Sequence, residues 1–312
     1  MASREITLIY SVGRDGVDKP VPFFLFPLAL QQEAARLRGV ETGASSNGEQ
    51  IVSGLGFTAL GSGSGGNAFV VHTDTEGLLI DAGFSRAAML ARMATAGIDP
   101  GIIRALLVTH EHGDHVAGAR VLADHLGVPT YVSFKTGTAL RHGGKLGQKT
   151  VCFEPGTAFT VGAFEVLPFP VPHDALDPVG FRIRLGDLCL GLASDLGHLS
   201  LLARERLRNC HVLALESNHD EEMQLRSDRH LRHKRRVLGR HGHLSNHDAM
   251  EALDTLLGPL TRHLCLVHLS RECNSPDLVR EMALQRLAEL NRDDIVLDIV
   301  TQNEPRPTVW IG

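Results

Sequence analysis

The run THEHGDH at positions 109–115, which directly follows the apolar segment ALLV, constrains this sequence more than any other feature. Two imidazoles, His110 and His112, stand two residues apart on a tight loop and can converge on one ion. Asp114 and His115 lie one turn further on, where they suit a second ion. Imidazole and carboxylate ligands without thiolate favour Zn²⁺ or Mn²⁺. The run therefore predicts a metal centre at the end of a buried strand.

The composition is that of an ordinary globular protein. The 312 residues are 43% apolar and 21% charged, which suits one large or two ordinary domains. The five cysteines are never spaced as C-x-x-C, so a disulfide framework or a thiolate zinc site is not indicated. The longest early apolar run, positions 21–30, is interrupted by prolines and is too short to span a bilayer. We therefore predict a cytoplasmic protein with no signal peptide and no membrane segment.

The character of the sequence changes near residue 54. The segment ASSNGEQ at positions 44–50 is typical of a polar linker. We expect residues 1–54 to be an N-terminal extension that is either disordered or the product of a start assigned too far upstream. Residues 55–312 are expected to form the folded domain.

Apolar, strand-like segments alternate with helical ones from residue 55 onward. Three of the apolar segments end directly on a polar residue, namely Asp81, Glu216 and His268. Polar residues at strand ends are the usual place for a functional site in a layered fold. Because helical segments separate these strands, the pattern predicts a layered α/β architecture.

Several helices begin at residues suited to a helix start. Ser85 and Ser245 precede helical patterns, and their hydroxyls can accept a hydrogen bond from a free backbone N–H of the first turn. Pro276 suits the first position of a late helix. One continuous helix is predicted from about residue 116 to residue 126.

Further motifs occur in a fixed order along the chain: LGSGSGGNAFVV, LIDAGFS, LVTHEHGDHVAG, VPHDALDPVGFRI, ASDLGH, LALESNHD, GHLSN and LVHLSRECNSP. The pattern HxHxDH after a strand resembles the signature of the metallo-β-lactamase superfamily. Together the motifs resemble the YycJ/WalJ-type bacterial nucleases, relatives of ribonuclease Z, over residues 55–312. The resemblance implies an α/β protein whose hydrolase domain is an αββα four-layer sandwich.

The resemblance also implies ligands for two divalent metal ions, either Zn²⁺ or Mn²⁺. Asp195 resembles the carboxylate that bridges both ions. Asp81 resembles an acidic residue that supports the metal loop by hydrogen bonds, and such a carboxylate orients the ligating imidazoles. Asn67, in the glycine-rich loop, is expected to brace the site. The implied ligands are His110, His112, Asp114, His115, His173, Asp195 and His268.

Three residues are expected to carry the chemistry. A water shared by two ions about 3.5–4 Å apart is a hydroxide near neutral pH, and Asp114 can both ligate an ion and accept a proton from that water. His243, in the motif GHLSN, resembles the ribonuclease Z histidine that protonates the leaving oxygen. Glu216 resembles the carboxylate that orients this histidine.

Substrate contacts are expected from two segments. The basic run at positions 226–236, which includes Arg235 and Arg236, either contacts a phosphate backbone beside the site or forms a solvated helix face. Ser270 and Asn274 resemble positions near a bound phosphate. A cysteine between them replaces the second asparagine that the family usually shows.

The implied function is that of a metal-dependent phosphodiesterase acting on nucleic acid, with DNA favoured over RNA and degradation from the 5′ to the 3′ end. Three alternatives stay open: an RNA-processing ribonuclease, a small-molecule hydrolase such as a thioesterase or lactonase, and a nucleic-acid-binding protein without activity. The metal loop is common to the hydrolases and does not separate them. The pair Glu216 and His243 and the basic run favour the nuclease, whereas the complete ligand set disfavours the inactive protein.

Overall fold

The computed structural model describes residues 54–312, which contain two seven-stranded sheets. The extension expected at residues 1–54 lies outside the described residues apart from Gly54. The first sheet has the strand order β14-β1-β2-β3-β4-β5-β6. Its strands are β1 (Leu55–Gly61), β2 (Ala68–His72), β3 (Gly77–Ile80), β4 (Ile103–Leu107), β5 (Thr130–Ser133), β6 (Thr150–Phe153) and β14 (Val309–Ile311).

The second sheet has the strand order β13-β12-β11-β10-β9-β8-β7. Its strands are β7 (Phe159–Val161), β8 (Phe164–Pro170), β9 (Val179–Leu185), β10 (Leu188–Ala193), β11 (Val212–Glu216), β12 (His263–Val267) and β13 (Val296–Ile299). The strands from β7 to β10 pair antiparallel, whereas those from β10 to β13 pair parallel.

Nine α-helices connect the strands within residues 54–312. They are α1 (Arg86–Thr95), α2 (Gly113–Val116), α3 (Ala119–Leu126), α4 (Phe134–His142), α5 (Leu201–Leu207), α6 (Glu221–Arg226), α7 (Leu231–Val237), α8 (Asn246–Leu256) and α9 (Pro276–Glu289). In this described part of the chain, no helix combines the length and the apolar character that crossing a bilayer requires.

Three hydrophobic cores account for the layers of the fold. The central core lies between the sheets and contains Phe57 and Phe181, which are at most 2% exposed. One outer core joins the first sheet to α1 and α3 through residues such as Met89 and Leu122. The other joins the second sheet to α5, α8 and α9 through residues such as Leu253. Because the inner faces of the sheets meet and helices cover the outer faces, the expected αββα sandwich is confirmed.

The expected helix starts are confirmed. The hydroxyl of Ser85 accepts a hydrogen bond from the backbone N–H of Ala88 at 3.3 Å. The hydroxyl of Ser245 accepts one from the N–H of Asp248 at 3.1 Å. Pro276 is the first residue of α9, where its missing N–H costs the helix nothing.

The single helix predicted over residues 116–126 is divided in the structure. Gly118 separates α2 from α3, and its N–H donates to the carbonyl of Ala82 at 2.8 Å. A Cβ at Gly118 would lie 2.0 Å from the carbonyl oxygen of Phe84. The prediction of one helix is wrong because the chain passes too close to the loop after β3 for a continuous helix with side chains.

The architecture gathers several strand ends at one edge of the sandwich. β3 and β4 run parallel in the first sheet, as do β10, β11 and β12 in the second. The residues that follow these strands contact one another across the two sheets: Nε2 of His115 lies 3.1 Å from Oδ2 of Asp195. This edge contains the residues that the sequence motifs single out.

Candidate metal centre

Three residues at this edge leave their strands in the left-handed region of backbone conformation. The φ angle is 58° at Asp81, 55° at Asp195 and 58° at His268. A non-glycine residue in this region costs about 1–3 kcal/mol and persists only where the surrounding structure enforces it. Such residues concentrate at functional sites, and here the buried strands that precede them supply the restraint.

The first group of predicted ligands consists of His110, His112 and His173. One ring nitrogen from each lies within 4.8 Å of the others. Nε2 of His173 lies 3.3 Å from Nδ1 of His112, and Nδ1 of His173 lies 2.8 Å from the carbonyl oxygen of Gly242. Because a carbonyl can only accept, Nδ1 of His173 donates, and its Nε2 lone pair faces the other two histidines.

The second group consists of Asp114, His115 and His268. Oδ2 of Asp114 lies 3.6 Å from Nε2 of His115 and 3.6 Å from Nε2 of His268. Each histidine turns its Nδ1 to a buried carboxylate, Asp81 for His115 and Glu216 for His268, at 2.7 Å in both cases. The Nε2 atoms are thereby directed towards Asp114.

Asp195 lies between the two groups. Its Oδ2 is 3.1 Å from Nε2 of His115, and its Oδ1 is 3.8 Å from Nε2 of His173. It also belongs to a set of possible ligands that includes His110. One carboxylate thus reaches members of both groups, which is the arrangement that a bridging ligand requires.

Asp81 supports the metal loop from behind. Its Oδ1 accepts the backbone N–H of Thr109 at 2.8 Å, and its Oδ2 accepts the Thr109 hydroxyl at 2.8 Å and Nδ1–H of His115 at 2.7 Å. The residue is fully buried. These bonds fix both the backbone before His110 and the orientation of the His115 ring, and they direct Nε2 of His115 towards Asp114 and Asp195.

Glu216 holds two histidines at once. Its Oε1 lies 2.9 Å from Nδ1 of His243 and 2.7 Å from Nδ1 of His268. Its Oε2 accepts the backbone N–H groups of Leu196 at 2.8 Å and Leu244 at 3.0 Å. The sequence motifs assigned Glu216 to His243 alone. The contact with His268 spans 52 residues of sequence, and no local pattern indicates it.

The cluster contains buried groups that a cation would satisfy. Nε2 of His110 and Nε2 of His268 are buried and have no hydrogen-bond partner, and such an atom costs about 1–3 kcal/mol. The carboxylates of Asp81, Asp195 and Glu216 lie beside them and are at most 2% exposed. Imidazole nitrogens and carboxylate oxygens are also the donor set of Zn²⁺ and related ions. The residues therefore fit a divalent metal.

Burial and mutual charge set the protonation of the cluster. Burial alone would lower the pKa of His115, but Asp195 and Asp81 outweigh burial and raise that pKa well above its usual value. Burial opposes the ionisation of Asp195, yet His268 and His115 hold the pKa of Asp195 well below its usual value. Burial, together with His115, keeps the pKa of His110 far below normal. Asp195 is therefore an anion and His110 a neutral imidazole, whereas a metal ion would have to displace a proton from His115.

The ligand groups open into a cleft of about 520 Å³. His243 lines this cleft with a side chain that is 12% exposed. Because Nδ1 of His243 is bonded to Glu216, Nε2 is the nitrogen left for a bound molecule. Ser270 also lines the cleft, together with Ser64 and Asn218.

One wall of the cleft is basic and comes from α7 and the turn before it. Arg229, His233 and Arg236 line it. Nε and Nη2 of Arg236 bind the two carboxylate oxygens of Asp174, with Nη2 to Oδ1 at 3.0 Å. The positive charge of Arg236 is thereby largely neutralised by Asp174, which follows His173 in the sequence. Arg235 is exposed on α7 and does not line the cleft.

Asn274 lies behind the cleft rather than on its surface. Its amide nitrogen donates to the carbonyls of Ser217 and Asn218 at 2.9 Å each and to Oδ1 of Asn246 at 2.9 Å. The side chain is committed to this buried network, which braces the loop after β11. A direct phosphate contact, as expected from the motif, would require this network to open.

Asn67 connects the glycine-rich loop to the ligands. Its Oδ1 accepts the hydroxyl of Ser62 at 2.7 Å, and its Nδ2 lies 3.1 Å from Nε2 of His115 and 3.4 Å from Oδ2 of Asp114. The hydroxyl oxygen of Ser62 accepts the backbone N–H of His268 at 2.9 Å. Ser62 thus links the two sheets at the site, a role that its place in a glycine-rich turn does not indicate.

Two residues near Glu216 have structural contacts. His219 is 1% exposed, and its backbone pairs with that of Ser245. The side chain of Asp220 accepts the N–H of Met223 at 2.8 Å and caps α6. Neither residue lines the metal cleft.

Comparison with known proteins finds a matching family and related sequences. Residues 77–269 match the β-lactamase superfamily domain. The chain is 37% identical over 239 residues to exodeoxyribonuclease YycJ of Bacillus anthracis, covering 76% of this chain and 90% of that protein. It is 36% identical over 242 residues to exodeoxyribonuclease WalJ of Streptococcus pneumoniae, covering 76% and 89%.

Solved structures with low sequence identity share the fold. The metallo-β-lactamase fold protein YhfI from Bacillus subtilis superposes with a TM-score of 0.63 at 17% identity, covering 81% of this chain and 99% of that one. The short form of human tRNase Z gives a TM-score of 0.56 at 15% identity, covering 80% and 98%. The sandwich is therefore a known fold.

The support that Asp81 provides can be tested by removing its charge. We expect Asp81→Asn to weaken metal binding about 10- to 100-fold. The amide has one accepting oxygen, so it cannot accept the Thr109 backbone N–H on one side and the Thr109 hydroxyl and His115 Nδ1–H on the other. Chelator-competition titration measures the affinity. Asp298→Asn is the control, since it removes a carboxylate that pairs with Arg306 away from the cluster. Equal affinity in Asp81→Asn and wild type would contradict the assigned role.

Proposed function

The chain belongs to the β-lactamase superfamily, and we propose that it is a metal-dependent nuclease that degrades DNA from the 5′ end. The observation that carries the proposal is the pair His243 and Glu216 at the wall of the metal cleft. Cleavage of a phosphodiester releases a sugar alkoxide, which needs a proton, and this pair is built to deliver one. The choice of DNA is supported by the relatives named exodeoxyribonucleases, which this chain matches over about nine-tenths of their length.

The proposed site holds two divalent ions, Zn²⁺ or Mn²⁺. His110, His112 and His173 would hold one ion, and the remaining ligands would hold the other, with Asp195 shared. This division follows two of the sets of donor atoms that lie within 4.8 Å of one another: His110 with His112 and His173, and Asp114 with His115 and His268. When bound, such ions supply hydroxide near neutral pH and offset the charge on phosphate oxygens.

Asp114 would have two roles in this proposal, as a metal ligand and as a proton acceptor. Its carboxylate faces Nε2 of both His115 and His268, and its side chain is 23% exposed to the cleft. Because it is partly exposed, the Asp114 carboxylate would hold a metal ion through one oxygen, and its other oxygen would accept a proton from water in the cleft. Asp195 and Glu216 are closed off from the cleft far more completely, so Asp114 is the carboxylate assigned to this step.

His243 delivers the proton to the leaving oxygen. Glu216 accepts a hydrogen bond from Nδ1–H of His243, which fixes the ring and directs Nε2 into the cleft. The same carboxylate oxygen binds His268, so the proton donor and one proposed ligand keep a fixed separation.

The substrate strand would lie along the basic wall. Arg229 and His233 line the cleft beside His243 and would donate hydrogen bonds to a phosphate backbone. Nε of Arg229 also pairs with Glu272 at 2.8 Å, and Glu272 lines the same cleft. Arg236 would act mainly through Asp174, which it holds next to His173. We assign the protein to the cytoplasm in this proposal, because its scattered cysteines suit a reducing compartment.

An end-labelled degradation assay tests the proposed activity. With Mn²⁺ or Zn²⁺ present, we expect DNA carrying a 3′ label to shorten progressively from its 5′ end, and RNA of the same sequence to be cut more slowly. The matched control is the same protein with excess chelator, which should leave both strands intact. Hydrolysis of a thioester or lactone without cleavage of either strand would overturn the proposal in favour of a small-molecule hydrolase.

His243→Ala separates proton donation from metal binding. We expect this variant to keep its metal but to lose about 10²- to 10⁴-fold in the rate of DNA cleavage, since a general acid contributes about that much. A nitrophenyl phosphodiester, whose leaving group needs no proton, should be cleaved at nearly the wild-type rate. Turnover of both substrates and metal content are measured side by side. His247→Ala, at a neighbouring histidine that is 68% exposed, is the control.

Glu216→Gln should reduce metal affinity, which His243→Ala should not. Because Glu216 also holds His268, the amide variant should lose metal affinity as well as proton donation. Loss of metal from His243→Ala would make His243 a ligand, and unchanged DNA cleavage in that variant would remove it from the mechanism.

A further inference from the structure

A second cavity, of about 740 Å³, lies at the opposite end of the second sheet from the metal cleft. Most of its residues come from the end of α5 and the turn before β11, and from the end of α8 and the turn before β12, and one comes from β9. The metal-site residues follow the other ends of β11 and β12. A strand of five residues spans roughly 15 Å, so the two cavities are separate sites.

Four arginines line this cavity: Arg182, Arg204, Arg206 and Arg208. Two carboxylates also line it, those of Glu205 and Asp254, and Asp254 is already paired with Arg286. The cavity therefore carries an excess of positive charge although the chain as a whole has a net charge of -5.

One of the four arginines has a clear structural role. Nη1 of Arg182 donates to the carbonyl of Arg206 at 2.6 Å and to that of Arg208 at 3.2 Å. It thereby satisfies carbonyls at the end of α5 that have no partner within the helix. This bond also fixes the backbone that carries the other arginines, so the cavity is held in shape.

The other three guanidinium groups lack such a role. Within residues 54–312, Arg204, Arg206 and Arg208 form no ion pair with a carboxylate. The Nε atoms of Arg204 and Arg206 are buried and have no hydrogen-bond partner. A buried donor of this kind is costly when unpaired, more so on a charged group. An anion in the cavity would supply the counter-charge that these three guanidinium groups lack.

We propose that this cavity binds an oligophosphate anion, either a free phosphate chain or the phosphate chain of a nucleotide. Guanidinium forks match the geometry of phosphate oxygens and bind them through paired, charge-assisted hydrogen bonds. Several arginines around one cavity require a ligand with several negative charges. The volume falls in the range of small-molecule sites, about 300–1,000 Å³, and is larger than one phosphate needs.

The apolar part of the lining favours the nucleotide source. Leu257 and Pro259 form a side of the cavity next to the arginines. The turn that carries them is held against the turn after α5, because Oδ1 of Asn209 accepts a hydrogen bond from the backbone N–H of Leu260 at 2.8 Å. A base or sugar could pack on this fixed apolar surface while the phosphates contact the arginines.

Isothermal titration of the metal-loaded full chain tests the site, with tripolyphosphate, adenosine triphosphate and adenosine as probes. We expect both phosphate compounds to bind and adenosine alone not to bind, with adenosine triphosphate the tighter of the two. The double variant Arg204→Gln/Arg206→Gln should weaken the binding of both phosphate compounds by at least about tenfold, because it removes two of the positive charges that line the cavity. DNA cleavage by this variant should be unchanged.

The control variant removes the same number of positive charges at positions outside the cavity. Arg86→Gln/Arg120→Gln alters two exposed arginines on α1 and α3 and should bind both probes as wild type does. If the double variant at the cavity fails to fold, Arg208→Gln, at an exposed position, should still weaken binding several-fold. Binding that is equal in all variants would place the phosphates in the metal cleft and overturn the proposal.

A third outcome would also overturn it. If a DNA oligonucleotide loses affinity in the cavity variant while neither small phosphate compound binds, the arginines belong to a strand-binding surface. Because titration needs no turnover, failure of this proposal is distinguishable from failure of the proposed nuclease activity.

Discussion

Buried carboxylates at the ends of strands are the constraint on which the site depends. Asp81, Asp195 and Glu216 are at most 2% exposed, and each carries a charge that the interior tolerates only with partners. The partners are histidines and backbone N–H groups from both sheets. The two sheets must therefore pack in one register at this edge, and the left-handed backbone at Asp81 and Asp195 is part of that requirement.

Glu216 illustrates how this constraint becomes function. One carboxylate oxygen holds both His243 and His268, and the other holds two backbone N–H groups. The proton donor of the proposed reaction is thus fixed relative to a proposed metal ligand through a single atom. Burial raises the cost of ionising Glu216, but His243 and His268 outweigh it and bring its pKa to about 2, so the carboxylate stays charged.

The metal loop and its strand could be predicted because they are local in sequence. The four proposed ligands from His110 to His115 lie within six consecutive residues, and an apolar segment precedes them. The alternation of strands and helices likewise indicated a layered fold. Contacts between distant segments could not be predicted: the bond from Glu216 to His268, the pairing of Arg236 with Asp174 across 62 residues, and the burial of Asn274 all depend on packing. The break at Gly118 also depends on a neighbouring loop.

Anomalous diffraction from metal-reconstituted crystals, recorded at the zinc or manganese edge, tests the central claim most directly. The account predicts two peaks about 3.5–4 Å apart. One should lie among His110, His112 and His173, the other should lie beside Asp114, and both should contact Asp195. A single peak, or none, at full reconstitution would contradict a two-ion centre at these strand ends.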